Sequence, residues 1–394
     1  MQSGGGCRIT GTGKAKGVLG TTRLTEEANV KSRLVIILVL VKLIAPMGLA
    51  QTAPSPASKP EATAAIAYSQ NHEANDLFLK AREFAKKGDP RVPGGALANA
   101  REAIKLYEEA IKKDPRFALA HVEMSRAWLS LGYSDPDGLS NDQIIPPAKA
   151  ALQKALDLDP NLPEAHLALA GLYYSLDYDW DRAEAEYKRA LALRPNDAAA
   201  HTNYAAYLGS MGRFDEAVAE AKKAEELAPS RLTDIVLARI YYYMRRYDDA
   251  AEYCQKSLKR EDNVLGHFFL GFIYVAQQKT SEAITEFKKG TSFSKNGGAL
   301  AGLAYGYAMA GRREEARQII NELKASTAGG LIVPYRLAAV YLALGDKDQA
   351  IHWLRKEYND RGNWMSQLKV DPVMDPLRSD PRFEELMRQM KFVG

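Results

Sequence analysis

The chain has 394 residues, of which 26% are charged and 20 are Tyr, a composition that fits a soluble helical protein and excludes a disordered or collagen-like one. The net charge is +4, but residues 1–50 alone carry seven Lys or Arg against Glu26 and Glu27, so the remainder sums to −1. Binding to a phosphate backbone needs clustered cations that displace counterions, so a near-neutral remainder argues against nucleic acid as the main partner.

In chain order, the first element is the apolar run 34–49 (LVIILVLVKLIAPMGL), which follows Lys31 and Arg33 and ends in Gly48, Leu49 and Ala50. A cationic start, an apolar core and small residues at the end describe a secretory signal. The alternative is an uncleaved membrane anchor, against which stand the shortness of the run and Lys42 inside it, since a span needs about 20 apolar residues. Residues 1–29 are rich in Gly and Thr and too long for an ordinary cationic start, so we expect the signal proper to begin near Val30. Cys7 lies far upstream of the apolar run, which excludes a lipoprotein signal, and cleavage would leave Cys254 without an intramolecular partner. The expected organisation is a leader (1–50), an Ala/Pro/Ser linker (51–72), a helical array (73–360) and a closing segment (361–394).

The array shows itself by its small residues. Ala103, Ala148, Ala183, Ala217, Ala250, Ala283, Ala316 and Ala350 recur at intervals of 45, 35, 34, 33, 33, 33 and 34. Twelve residues before them in the regular units stand Ala81, Ser125, Ala170, Ala205, Ala238, Gly271, Ala304 and Ala338, all small. Three residues after those come Phe84, Trp128, Tyr173, Leu208, Tyr241, Tyr274, Tyr307 and Tyr341. A small residue lets two helices cross closely, and a large one a turn away fills the adjacent gap. Pro115, Pro160, Pro195 and Pro229 each follow an alanine by 12 residues, where proline ends a helix.

A period near 34 with this pattern resembles the tetratricopeptide repeat, most cleanly from His201-Thr202-Asn203-Tyr204-Ala205 through Gly212, Ala217, Ala221, Ala224 and Pro229. The resemblance implies an all-α, right-handed superhelical solenoid of about eight helix-turn-helix repeats. It is specific for fold and unspecific for function, because such repeats serve assemblies of many purposes. Units one and two carry extra residues around 89–95 and 133–143, expected as edge loops. Leu323 and Glu357 stand where earlier units have a second small residue such as Ala110, so packing is expected to loosen there. The tail, with Asp371-Pro372, Asp375-Pro376 and Asp380-Pro381, looks like the closing segment of bacterial repeat regions that elsewhere follow kinase, cyclase or DNA-binding domains. Asp380 and Pro381 predict the start of a last helix, running through Met390, that caps the final repeat.

No motif supplies a catalytic set, a metal site or a cofactor site. His121, His166, His201 and His267 occupy one repeat position on separate helices, which reads as a structural column. Asp135-Pro136-Asp137-Gly138 lacks one ligand of a calcium loop and reads as a turn, and Gly11-Thr12-Gly13-Lys14 lacks the spacing of a phosphate loop. Repeat geometry instead assigns Tyr174, Asn203, Arg239, Tyr242, Tyr243, Phe268, Phe272 and Tyr305 to the inner face of the superhelix or beside it. Flat apolar surface with a few polar handles suits a peptide or protein segment. The expected function is therefore a non-enzymatic, exported scaffold that holds a protein partner in this groove, with no small-molecule substrate. The alternative is a structural subunit of a cell-envelope assembly that uses repeat edges and inserted loops.

Overall fold

A computed structural model describes residues 69–86, 95–134, 141–293, 297–325 and 333–392. The leader, the Gly11–Lys14 run, Cys7, the calcium-like turn and most of the two inserted loops lie outside the described residues. Among the described residues, sixteen helices pack as eight consecutive pairs. The first four are α1 (His72–Lys86), α2 (Gly95–Lys113), α3 (Ala118–Ser134) and α4 (Asn141–Leu158). The middle repeats follow with α5 (Pro163–Leu172), α6 (Trp180–Leu193), α7 (Ala198–Met211), α8 (Phe214–Leu227), α9 (Arg231–Tyr243) and α10 (Tyr247–Arg260). The last repeats are α11 (Val264–Ala276), α12 (Thr280–Phe293), α13 (Gly297–Met309), α14 (Arg313–Ala325), α15 (Pro334–Ala343) and α16 (Lys347–Asn359). Two 3₁₀ turns (Asn363–Gln367 and Pro372–Leu377) and a short α17 (Pro381–Gln389) complete the chain, and no strand occurs among the described residues.

From the fourth repeat to the eighth, the turn between the two helices of a repeat is built the same way. Gly212, Arg245, Gln278, Gly311 and Gly345 all have positive φ and succeed one another at the repeat interval. The next amide reaches back to close the helix end, as in Arg213 N to Leu208 O (2.9 Å) and Arg312 N to Tyr307 O (2.9 Å), the left-handed cap that glycine favours. Starts are capped by side chains: Asp197 accepts from the amides of Ala199 and Ala200, Ser230 from Thr233, and Asn263 from Gly266. In the third repeat the two small positions, Ala170 and Ala183, are 13 residues apart instead of 12. The extra residue is absorbed by a π-helical turn at Tyr173–Asp177, after which Tyr178 takes the left-handed conformation (φ 54).

All eight recurring alanines and seven of the eight small residues before them have no exposed surface; the eighth, Gly271, is also buried. Gly271 shows why smallness matters: a Cβ built on it would lie 2.6 Å from the Phe287 ring, and one on Gly306 2.8 Å. Packing does not loosen at Leu323 and Glu357, which are 1% and 3% exposed. Burial organises two apolar clusters, one within repeats one to three and a larger one from repeat three through the end of the chain, with Tyr173 packed against both.

The histidine column is a set of cross-helix braces. His166 sits between Glu186 (2.5 Å) and the Pro160 carbonyl (3.0 Å), His201 between Glu220 (2.5 Å) and the Pro195 carbonyl (2.8 Å), and His267 between Glu286 (2.5 Å) and Asp262 (2.7 Å). Both ring nitrogens face acceptors, an arrangement that only the imidazolium satisfies fully. The Glu186 and Glu220 bonds accordingly raise the pKa of His166 and His201 against the opposing effect of burial. For His267 burial pulls downward most, but Glu286 and Asp262 outweigh it. His121, buried with no partner for either nitrogen, is pushed down by burial and then by Lys154.

A folded-state pKa above the unfolded one means that these braces contribute fully below about pH 6.5 and lose their contribution as pH rises through the raised values. His121 opposes this. Melting of the H166A/H201A/H267A variant is therefore expected to differ most from wild type at pH 5.5 and to converge on it at pH 9. A gap that is constant with pH would refute the ionic role.

Candidate functional site

The closing segment of the chain packs back against repeats three, four, five and eight. After α16 the backbone turns at Asp360 and Arg361 (φ 53) and runs back across the helices that carry the expected groove residues. Met365, Leu368, Met374 and Leu377 are fully buried there. The closing segment is thus more than a cap on the last repeat. A run of turns with prolines at 372, 376 and 381 cannot continue the helical array, and its apolar side chains find their cover inside the superhelix.

None of the eight residues read from the sequence is more than 7% exposed, and Arg239 and Tyr243 among them meet the segment through Gln367. The Tyr174 hydroxyl is 2.7 Å from that of Ser210, and its ring meets Tyr207 edge-on. Arg239 donates from Nη2 to the Tyr243 hydroxyl (2.8 Å) and to Gln367 Oε1 (3.1 Å), while Tyr243 donates to the same Gln367 oxygen (2.6 Å). Tyr242 packs on Tyr243 and Tyr247, and Phe272 lies between Phe268 and the stacked ring of Tyr305 (4.9 Å). Asn203 is 1% exposed, and neither atom of its amide has a partner in the chain. Buried to this degree, these residues are not open to a partner in this conformation.

Several contributors were missed in the sequence. Arg336 lies over the rings of Trp364 (3.9 Å), Phe268 (4.7 Å) and Phe272 (5.2 Å), a desolvated cation–π cage. It stands two residues before the small position of repeat eight, as Asn203 does in repeat four, so the repeat register contains the signal. Its Nε and Nη2 find no acceptor, and a buried polar atom left unpaired costs about 1–3 kcal/mol. Tyr335 donates to Asp371 Oδ2 (2.9 Å), and the Val373 amide donates to Asp371 Oδ1 (3.0 Å). Burial nevertheless keeps the Asp371 pKa raised, with Arg336 acting the other way.

Glu357 holds the point where the segment departs. Its carboxylate accepts from the amide of Tyr335 (3.1 Å) on one side and approaches that of Trp364 (3.4 Å) on the other, and burial pushes its pKa up to about 7. A carboxyl with a raised folded-state pKa favours folding most below its unfolded value near 4.3, and that advantage fades as pH rises toward 7. E357Q is expected to flatten this fall, its stability relative to wild type improving by about 1–3 kcal/mol between pH 5 and pH 8. Parallel pH profiles from denaturant unfolding would contradict it.

The far end of the segment is fastened to repeat three. Trp180 Nε1 donates to the Met390 carbonyl (2.7 Å), and its indole stacks on Phe392 at 4.8 Å and 13°. Tyr178, turned by the π-helical bend, donates to the Gly362 carbonyl (2.7 Å) and stacks on Tyr358 (6.0 Å). Asn141 at the start of α4 donates to the Asp360 carbonyl (2.7 Å). The end of the solenoid thereby meets its second and third repeats. At the rim, Arg245 grips both oxygens of Asp375 (2.9 Å each) and the Val370 carbonyl (3.0 Å). What this surface does chemically is grip backbone carbonyls, an amide and a carboxylate between aromatic faces.

Family models described as tetratricopeptide repeat match residues 186–219, 235–292 and 335–356, each falling within the paired helices. The chain carries tetratricopeptide repeats. It is 33% identical over 119 residues to the type IV pilus assembly protein PilF of Pseudomonas aeruginosa, covering 29% of this chain and 47% of that one. It is 25% identical over 188 residues to Hsp70-Hsp90 organizing protein 3 of Arabidopsis thaliana, covering 48% and 30% respectively. The chain thus spans less than half the length of these curated relatives. Among solved structures it resembles yeast Tom70, with a TM-score of 0.52 at 16% identity over 94% of this chain and 78% of that one. A tetratricopeptide repeat protein from Parabacteroides merdae gives a TM-score of 0.50 at 12% identity, covering 70% and 99%. These likenesses show the fold, a right-handed all-α solenoid. The repeat relatives point to protein-protein interaction or scaffolding as the general role. No helix among the described residues is long and apolar enough to cross a membrane.

Proposed function

We propose that this tetratricopeptide-repeat chain is a non-catalytic scaffold that recognises a protein segment in the groove lined by Tyr174, Asn203, Arg239, Tyr242, Tyr243, Phe268, Phe272 and Tyr305. The observation that carries the reading is that a non-repetitive segment of chain already lies there. It is held by side chains that read an amide (Gln367), a carboxylate (Asp371) and buried apolar groups at once. Affinity for such a segment comes from the desolvated aromatic and Arg anchors, and specificity from the paired polar groups. Export through the 34–49 signal would place the scaffold in the periplasm or outside the cell, and an uncleaved signal would tether it to the membrane. The similarity to a pilus assembly protein is compatible with an envelope setting.

A second reading, an assembly subunit that uses repeat edges and the loops of the first two repeats, is favoured by one observation: the groove is full in the isolated chain. Photo-crosslinking separates the two. A crosslinker at the rim position Tyr247 is expected to capture the partner, and one within 134–142 is not. The reverse pattern would transfer the function to the edges.

A further inference from the structure

We propose that the chain's closing segment is a built-in competitor for the groove, so that an outside segment enters only as residues 362–380 lift away. The inference rests on the groove reading above and assigns its regulation. The segment is ligand-like in its contacts, with Gln367 seated on Arg239 and Tyr243, and Asp371 on Tyr335. It is also an imperfect occupant. Asn203 pairs neither its amide nitrogen nor its oxygen, Arg336 leaves Nε and Nη2 without acceptors, and Gln367 leaves Nε2 without one. All three residues are at most 4% exposed. A segment that offers a carboxylate or carbonyl to Arg336 and a peptide group to Asn203 satisfies what the closing segment does not. The partner this chemistry fits is an extended, mainly apolar peptide bearing an acidic residue.

Lifting has a mechanical basis. The segment joins α16 through a sharp turn at Arg361, which has positive φ. Its outer fastenings lie away from the groove floor: Phe392 on Trp180, and the half-exposed pair Arg245–Asp375. Tethering gives the competitor a high local concentration, on the order of millimolar for a short link. An outside peptide of the same sequence should then bind poorly to the intact chain and well once a fastening is cut.

The test uses a fluorescent peptide of residues 362–380 added to the full chain. Phe392→Ala releases the far end, and Asp375→Arg breaks the rim pair at a position too exposed to unfold the protein. A staple, Gly212→Cys with Val370→Cys, uses the 3.7 Å between the site of a Gly212 Cβ and Val370 Cγ1. Both release variants are expected to bind the peptide at least tenfold more tightly than wild type. The oxidised staple should abolish binding, and reduction should restore it to the wild-type level. Equal binding by wild type, release variants and oxidised staple would overturn the competition while leaving open where the peptide sits. If hydrogen exchange shows the segment lifted in a release variant that still binds no peptide, the groove reading itself fails, and the competition with it.

Discussion

A chain ending at Asp360 is expected to lose its cooperative melting transition near the wild-type temperature, with a fall of 15 °C or more or outright insolubility. Met365, Leu368, Met374, Leu377, Phe383, Leu386 and Met390 are each at most 2% exposed. Burying one such side chain is worth about 1.5–3 kcal/mol before entropy is charged, and whole domains are stable by only about 5–15 kcal/mol. Removing the segment also uncovers the Arg239–Tyr243 pair and takes Trp364 from Arg336. Because the lost contacts are with the groove, repeat three and α16, where Arg382 meets Asp348, a peptide of residues 362–392 supplied in trans is expected to recover much of the fall. Calorimetry of the truncated chain with and without that peptide measures it. A truncated chain that melts like wild type would mean that the segment is only an appendage.

The second large effect is expected at Phe287. Its ring is 1% exposed and lies against Gly271, Gly306 and Gly302, where an added Cβ would come within 2.6, 2.8 and 3.0 Å of it. F287A is expected to cost about 3–5 kcal/mol through lost burial and a cavity. G271A is expected to cost about 1–3 kcal/mol, because its new methyl would meet the ring. Combined, the two should cost less than the sum of their separate costs, since the methyl enters space that the ring has vacated. Urea unfolding of the three variants tests this, and simple additivity would mean that the glycine is small for another reason.

The solenoid was legible because helix crossing imposes a local, repeated requirement. Ala103 through Ala350, with their small partners, mark the crossings, and the described residues form eight pairs where about eight were expected. The cap of the last helix was equally readable, for Asp380 accepts from the Arg382 amide at the expected start. An inner face for Tyr243 and Phe272 could be proposed from register alone. What fills that face could not. The contacts of Gln367 with Arg239 and of Asp371 with Tyr335 join residues 128 and 36 apart, and the proline-broken segment that makes them has no period to betray its path. Glu357 was misread for a related reason. A charged residue at a small position looks like a flaw in packing until the amides of Tyr335 and Trp364 are seen to converge on it.

Hydrogen exchange resolved to residues 364–377 measures directly whether the closing segment lies in the groove of the intact chain. Buried there, those amides are expected to be protected to about the degree of α9 and α11, on the order of a thousandfold or more over unfolded chain. Exchange of 364–377 at unfolded-chain rates, with α9 still protected, would contradict it.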